Sequence, residues 1–259
     1  MKSAYKNSRF SLFWNQISGK HGQTYKRFVI DPTMLRLIGS LKNKTVIDLG
    51  CGNGYLGPRF VKLGAKRVIL ADLSEANLKH AEGLNKKVLA RVDLLLMDAT
   101  RAWPLKSSSV DLVFSDMLLN EIKNIGTPMK EAYRVAKQGG LFIFAVTHPA
   151  WDLYEFAQDK LGKPRNILNG AGPYFFRGFS KFIMGTESLK PPPGEEYPEK
   201  FEIEHYQRPL QDYFEALVGA GFSIQRFIEP ELPKKVLKAF PGYQDMVDHP
   251  IGAIFVAQK

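Results

Sequence analysis

The sequence predicts an α/β fold built on a doubly wound, mostly parallel seven-stranded sheet, and three observations carry that prediction. Apolar segments of about five residues alternate with stretches of helical periodicity from residue 45 to residue 146, the rhythm of parallel strands joined by crossover helices. The first apolar segment, Val46-Ile47-Asp48-Leu49, runs into Gly50-Cys51-Gly52-Asn53-Gly54. Glycines at every second position let a strand end in a tight turn whose backbone can approach a ligand with no Cβ in the way. Finally, the first three segments meet aspartates at Asp48, Asp72 and Asp98, and in an open parallel sheet such strand ends face one ligand crevice.

Strand one covers residues 45–49, and a helix follows over 57–64, with Pro58 in its first turn and Gly64 at its end. Strand two covers 67–71 and closes on Asp72. Ser74 caps a helix that runs to Asn85. Strand three covers 92–97 and closes on Asp98; strand four covers 110–114. A helix around 127–137 stops at Gly139-Gly140, before strand five over 141–146. Residues 148–207 break the rhythm with scattered glycines, Pro191-Pro192-Pro193-Gly194 and the aromatic run Tyr174-Phe175-Phe176-Arg177-Gly178-Phe179. A stretch this long without a regular pattern predicts a lid or binding element. A helix over 209–219 and strands over 222–228 and 251–257 complete the chain. No long helix separates those two strands, so they predict an antiparallel hairpin at the sheet edge. The whole reads as one domain: a helical cap (1–44), a ligand-binding core (45–147), an inserted lid (148–207) and a C-terminal helix with its hairpin (208–259).

At 259 residues the chain can bury a substantial core. No apolar run approaches the roughly 18 residues that span a bilayer, and no cleavable apolar leader is expected. The single cysteine, Cys51, excludes an internal disulfide and a cysteine-based zinc cluster. Inside the glycine turn it reads as a small filler, and a reducing cytoplasm is the expected location. The net charge of +10 is concentrated: residues 1–44 hold nine basic residues against one acid, Asp31, leaving the rest nearly neutral. With Tyr5, Phe10, Phe13, Trp14 and Tyr25 interleaved, this arm suits RNA, an anionic membrane surface or an acidic substrate. The alternative, favoured here, is a helical cap whose aromatics pack onto the core.

The glycine loop admits two readings. Gly52, Gly54 and Gly57 satisfy G-x-G-x-x-G, with Asp72 about where a dinucleotide's ribose-binding acid belongs. In that motif, however, the strand runs straight into the first glycine, whereas here Asp48, Leu49 and Gly50 come between. A carboxylate at Asp48 would repel phosphate but suits a ligand with a cationic end. The run Val46–Gly54 resembles the first motif of the class I S-adenosylmethionine-dependent methyltransferases, acidic-x-Gly-x-Gly-x-Gly after the first strand. The resemblance extends over residues 45–148 and 209–257. It implies a Rossmann-like fold, an enzyme, S-adenosylmethionine as methyl donor and S-adenosylhomocysteine as product. It also implies roles: Asp48, Gly50, Cys51, Gly52, Asn53 and Gly54 around the methionine portion, and Asp72 on both ribose hydroxyls. Leu73 would lie on the adenine face, Asp98 would accept from the exocyclic amine, and the Ala99 N–H would donate to a ring nitrogen. Ser115 and Met117 would line the methyl-bearing end, with Tyr25 contributed by the cap. Asp116 reads as a helix N-cap.

For the acceptor, an absence is informative. Enzymes of this family that methylate exocyclic base amines or glutamine amides carry [Asn/Asp/Ser]-Pro-Pro-aromatic after the fourth strand, where this chain has Ser115-Asp116-Met117-Leu118. Cys51 is also misplaced for the thiolate that cytosine C5 chemistry needs. Methyl transfer from sulfur is an in-line displacement that depends mainly on alignment. A base helps when a hydroxyl or ammonium must lose a proton. His148, in Thr147-His148-Pro149 at the end of strand five, is the candidate base, against the alternative of a histidine packed beneath the lid. His205 is the second candidate. The expected function is methyl transfer to a small organic hydroxyl, amine or carboxylate, with no metal. A tRNA or rRNA methyltransferase using the basic arm and a non-catalytic donor-binding protein are the alternatives. The sequence specifies no oligomeric state.

Overall fold

The computed structural model describes residues 8–22, 25–151, 167–168, 174–185, 200–239 and 249–259. Seven strands form the main sheet: β1 (Thr45–Leu49), β2 (Arg67–Asp72), β3 (Val92–Leu96), β4 (Val110–Asp116), β5 (Ala136–Thr147), β9 (Ser223–Ile228) and β10 (Gly252–Gln258). Their spatial order is β3-β2-β1-β4-β5-β10-β9. The first five pair in parallel, and β10 runs antiparallel to both neighbours.

The strands read as near-continuous apolar runs because both faces are covered. Alternate side chains point to opposite layers. Ile47, Val113, Phe142 and Phe144 pack with Met129 and Ala132 of α5 (Gly126–Val135) and with Tyr213 and Leu217 of α6 (Leu210–Ala220). Val46, Phe114 and Ile143 pack on the other side with Met34 of α2 (Asp31–Ile38), Phe60 of α3 (Gly57–Lys62) and Leu78 of α4 (Glu75–Asn85). Each fully buried phenylalanine contributes roughly 1.5–3 kcal/mol.

Two expectations are corrected and one is met. The helix before β5 ends at Val135, not near Gly139, because Ala136 already pairs with Val110; the register then shifts before Leu112 meets Leu141. The closing strands pair antiparallel at the sheet edge, as expected, with β10 against β5 and β9 outermost. A short helix, α7 (Lys234–Ala239), precedes β10. Secondly, the described part of the 148–207 insertion is a second, antiparallel sheet of β6 (Ile167–Leu168), β7 (Gly178–Gly185) and β8 (Lys200–Gln207). Alternation over β8 explains it: Phe201 and Ile203 are buried on one face. The proline run at 191–194 lies outside the described residues.

Those two side chains receive α1 (Ser8–Ser18). Phe10 and Phe13, both fully buried, meet the Phe201 ring at centroid distances of 5.4 and 4.8 Å. The aromatics of the basic arm are therefore packed, chiefly on the insertion; Tyr5 lies outside the described residues. Ser11 Oγ lies 2.9 Å from Ser74 Oγ, and Asn15 Nδ2 donates to Asn77 Oδ1 at 3.4 Å, tying α1 to the start of α4. Arg208, buried just past β8, donates to the Leu119, Ile122 and Lys123 carbonyls and stacks over Tyr206 at 4.6 Å. A desolvated guanidinium is tolerable when its donors are satisfied, and here it fastens the loop after β4 to the insertion. No described helix is long and apolar enough to cross a membrane.

Candidate active site

The glycine turn after β1 shows why its residues are small. Gly54 has φ +68°, and a Cβ there would stand 2.7 Å from Ala81 Cβ and 2.8 Å from Leu70 Cδ1. Its role is close packing of the turn on α4. Gly52 has φ +55° with nothing within 4 Å of its Cβ position, so it leaves open space above the turn. The turn is braced by the Gly50 and Cys51 amides on Ala71 O, at 2.8 and 3.0 Å, and by Asn53 Nδ2 on Gly19 O at 2.9 Å. Cys51 is buried, and burial with the Asp72 and Asp48 charges pushes its thiol well up, which suits a filler.

Parallel pairing brings the carboxyl ends of β1, β2 and β3 to one edge, where Leu49 lies beside Ala71 and Asp72 beside Leu96. Asp72 is already engaged: Oδ2 accepts from the Gly52 amide at 2.9 Å, and Oδ1 from the Ser74 amide at 2.9 Å and Asn77 Nδ2 at 3.2 Å. A carboxylate offers about four acceptor sites, so Oδ2 keeps capacity for a ligand. Burial raises the Asp72 pKa, opposed by these hydrogen bonds. Asp48 takes no hydrogen bond from the described residues, and burial with the Asp116 charge pushes it up to about 8 against the pull of Lys26. Asp98 forms the turn after β3, with Oδ1 accepting the Thr100 amide at 2.9 Å and the Thr100 hydroxyl at 2.6 Å. The Ala99 carbonyl takes the Trp103 indole at 3.2 Å, and the Ala99 N–H has no partner among the described residues. Leu73 is partly exposed next to Asp72.

Beyond β4, the expectations need amendment. Ser115 is fully buried and its hydroxyl donates to Leu49 O at 3.1 Å; the side chain braces β4 against β1, and its one donor is spent there. Met117 has φ +60°, a left-handed conformation costing a residue with a Cβ about 1–2 kcal/mol. Asp116 is not an N-cap, since no helix starts there. It sits 2.9 Å from Lys26 Nζ and 3.5 Å from the Tyr55 hydroxyl, which also donates to Asp31 Oδ1 at 3.1 Å. Arg59 lies 3.4 Å from Asp31 Oδ2. Burial and the Asp116 charge push Asp31 up to about 7. Burial alone would lower the Lys26 pKa, but the facing Asp116 and Asp31 hold it up. This buried network joins the N-terminal segment to the crevice. An aspartate closing a fourth strand was the available signal for Asp116, whereas nothing in the sequence marked Lys26 or Tyr55. Lys26 opens a π-helical turn, Lys26–Ile30, with Tyr25 at its N-cap, a distortion frequent at functional sites.

His148 is 4% exposed. Nδ1 accepts the Ala150 amide at 3.0 Å, which puts the neutral ring's proton on Nε2, 2.8 Å from Glu229 Oε1. Neither nitrogen offers a lone pair to an acceptor in this arrangement, so the side chain acts as a packed clasp between β5 and β9. His205, on β8, is likewise buried.

The strand order, the single antiparallel strand and the acid-rimmed glycine turn define the site of a methyl-donor enzyme, and similarity to known proteins agrees. Residues 47–144 match the family model described as a methyltransferase domain. The chain belongs to the class I S-adenosylmethionine-dependent methyltransferases and is an enzyme with S-adenosylmethionine as its cofactor. An uncharacterized protein from Haemophilus influenzae is 34% identical over 206 residues, 78% of this chain and 76% of that protein. The malonyl-[acyl-carrier protein] O-methyltransferase of Yersinia pestis is 33% identical over 48% of this chain, a match that spans 42% of that protein. Among solved structures, a putative S-adenosylmethionine-dependent methyltransferase from Listeria monocytogenes superposes with a TM-score of 0.68 at 26% identity, covering 88% of this chain and 95% of that one.

Proposed function

We propose that the enzyme methylates an oxygen atom of a small organic acceptor in the crevice at the carboxyl end of β1, β2 and β4. One observation carries this reading: open space over Gly52, whose amide is held by Asp72, at the strand ends that also carry Asp48 and an Ala99 N–H with no partner among the described residues. That arrangement fits a nucleoside with a cationic end. Asp72 Oδ2 has acceptor capacity for ribose hydroxyls, Asp98 and Ala99 can read an adenine edge, and Leu73 can cover its face. Asp48, Gly50, Cys51, Gly52, Asn53 and Gly54 surround the methionine portion, with Tyr25, Ser115 and Met117 on its far side. The donor supplies an electrophilic methyl group. The residues of this chain supply alignment and exclude water, and the insertion sheet with α1 acts as the lid of a single domain. The choice of oxygen is supported by the relative from Yersinia pestis, whose name describes O-methylation.

Incubation with S-adenosylmethionine labelled in its methyl group tests this reading. A cell extract freed of macromolecules and a tRNA preparation serve as alternative acceptors. Label is expected in small organic products whose methyl group sits on oxygen. Label confined to tRNA would contradict it.

A further inference from the structure

The end of β4 carries polar atoms that the fold leaves unsatisfied. Asp116 is 7% exposed, and with Lys26 and Tyr55 both at Oδ2, its Oδ1 is buried without a hydrogen bond among the described residues. Four residues on, Asn120 is 5% exposed; Nδ2 donates to Glu121 Oε1 at 3.0 Å, and Oδ1 has no partner among the described residues. The Tyr25 hydroxyl is the third such atom. It feels the Asp116 charge and sits 2.9 Å from where a Cβ on Gly252 would be. A buried polar atom without a partner costs roughly 1–3 kcal/mol. Three such atoms around one strand end, flanking the strained Met117, mark a place where a ligand supplies the missing partners.

The chemistry of the three atoms selects that ligand. The carboxylate oxygen and the amide oxygen can only accept, and the phenol can donate or accept. Burial and the Asp116 charge raise the Tyr25 pKa, which keeps that hydroxyl protonated. A carboxylate ligand would bring acceptors and negative charge to a region where Asp31, Asp48 and Asp116 already face Lys26 and Arg59. A neutral hydroxyl brings the missing donor.

Resting on the methyltransferase reading above, we infer that Asp116, Asn120 and Tyr25 form the acceptor subsite, that the acceptor is a neutral hydroxyl compound of the phenol or alcohol class, and that Asp116 Oδ1 takes its proton. As the acceptor oxygen bonds to the methyl carbon, the carbon–sulfur electron pair stays on sulfur and the hydroxyl proton passes to the carboxylate, later to solvent. Lys26 is a positioning residue: it holds Oδ2 and leaves Oδ1 to the acceptor.

A matched pair of chromophoric probes tests this without turnover. Binding of p-nitrophenol and of p-nitrobenzoate is followed by difference absorbance near pH 6, in the full chain saturated with S-adenosylhomocysteine. The phenol is expected to bind at least about tenfold tighter than the benzoate. Asp116→Asn and Asn120→Ala should each weaken phenol binding about tenfold while S-adenosylhomocysteine affinity measured by calorimetry stays within about threefold, and Tyr25→Phe should weaken phenol binding severalfold. The subsite is overturned if p-nitrophenol does not bind, if the benzoate binds as tightly, or if the substitutions leave phenol affinity unchanged. It is also overturned if Asp116→Asn and Asn120→Ala weaken the nucleoside as much as the phenol. Absence of S-adenosylhomocysteine binding to the unsubstituted protein would instead overturn the proposed function itself.

Discussion

The Gly52 amide donates to Asp72 Oδ2 across 2.9 Å, so the glycine turn of β1 and the acid that closes β2 form one unit. Whatever occupies the turn is felt by the carboxylate, and the reverse. Replacing Asp72 should therefore do more than remove one ligand contact. Asp72→Asn should weaken S-adenosylhomocysteine about hundredfold in calorimetry, roughly 2.8 kcal/mol. Unchanged affinity would remove Asp72 from the ribose role.

Gly52 and Gly54 share a left-handed backbone but differ in surroundings, and alanine at each should separate folding from binding. Gly54→Ala drives a methyl into Ala81 and Leu70 and should cost about 2–4 kcal/mol of stability in denaturant unfolding. Gly52→Ala meets no neighbour and should cost only about 1–2 kcal/mol, with a larger loss in donor affinity than in stability. Equal stability losses would contradict the open space assigned above Gly52.

Asp48, pushed up to about 8, and Asp31, pushed up to about 7, fix the sign of the pH dependence. Both lie above their unfolded values, so between about pH 4 and 8 the native state binds more protons than the unfolded chain. Their contribution to stability is complete below the unfolded carboxylate range and is lost as pH rises through about 7 to 8. Thermal melting of the ligand-free protein should fall from pH 5 to pH 8.5, with a shallower slope in Asp48→Asn. A rising melting temperature over that interval would contradict the buried carboxylate cluster.

His148 spends Nδ1 on the Ala150 amide and turns Nε2 to Glu229. A positioned general base contributes about 10²–10⁴ to rate. His148→Gln, assayed with the product-forming acceptor, should lower kcat less than about tenfold and leave the pH profile in place. A loss of a hundredfold or more, with the basic limb of the profile removed, would restore the histidine to the chemistry.

Phe13 is fully buried against Phe201. Phe13→Ala should destabilise the protein by about 3–5 kcal/mol if the insertion unfolds with the core. If α1 and the insertion form a separately melting unit, calorimetry should resolve an early transition. An unchanged single transition would contradict the packing of α1 on β8.

Much of the core was legible because its signals are local. The Val46–Leu49 run, the alternate glycines and the Ser74 cap, whose hydroxyl accepts the Asn77 amide at 3.3 Å, depend on neighbours within a few residues. The insertion was harder to read: β7 pairs with β8 although no short turn sequence joins them, and the burial of Phe201 depends on Phe10, almost two hundred residues away. Asp116 illustrates the same limit within the site. Its type and position marked a strand end, but its partner Lys26 comes from the basic arm, where a count of charges suggests a solvent-facing side chain. The ion pair at 2.9 Å is a tertiary fact with no sequence spacing to announce it.

A crystal structure with S-adenosylhomocysteine shows where the donor sits. Ribose hydroxyls are expected within hydrogen-bonding distance of Asp72, the adenine edge at Asp98 and Ala99, and the nucleoside's amino-acid tail over Gly52. Density for the nucleoside elsewhere, with this crevice left to solvent, would contradict that placement.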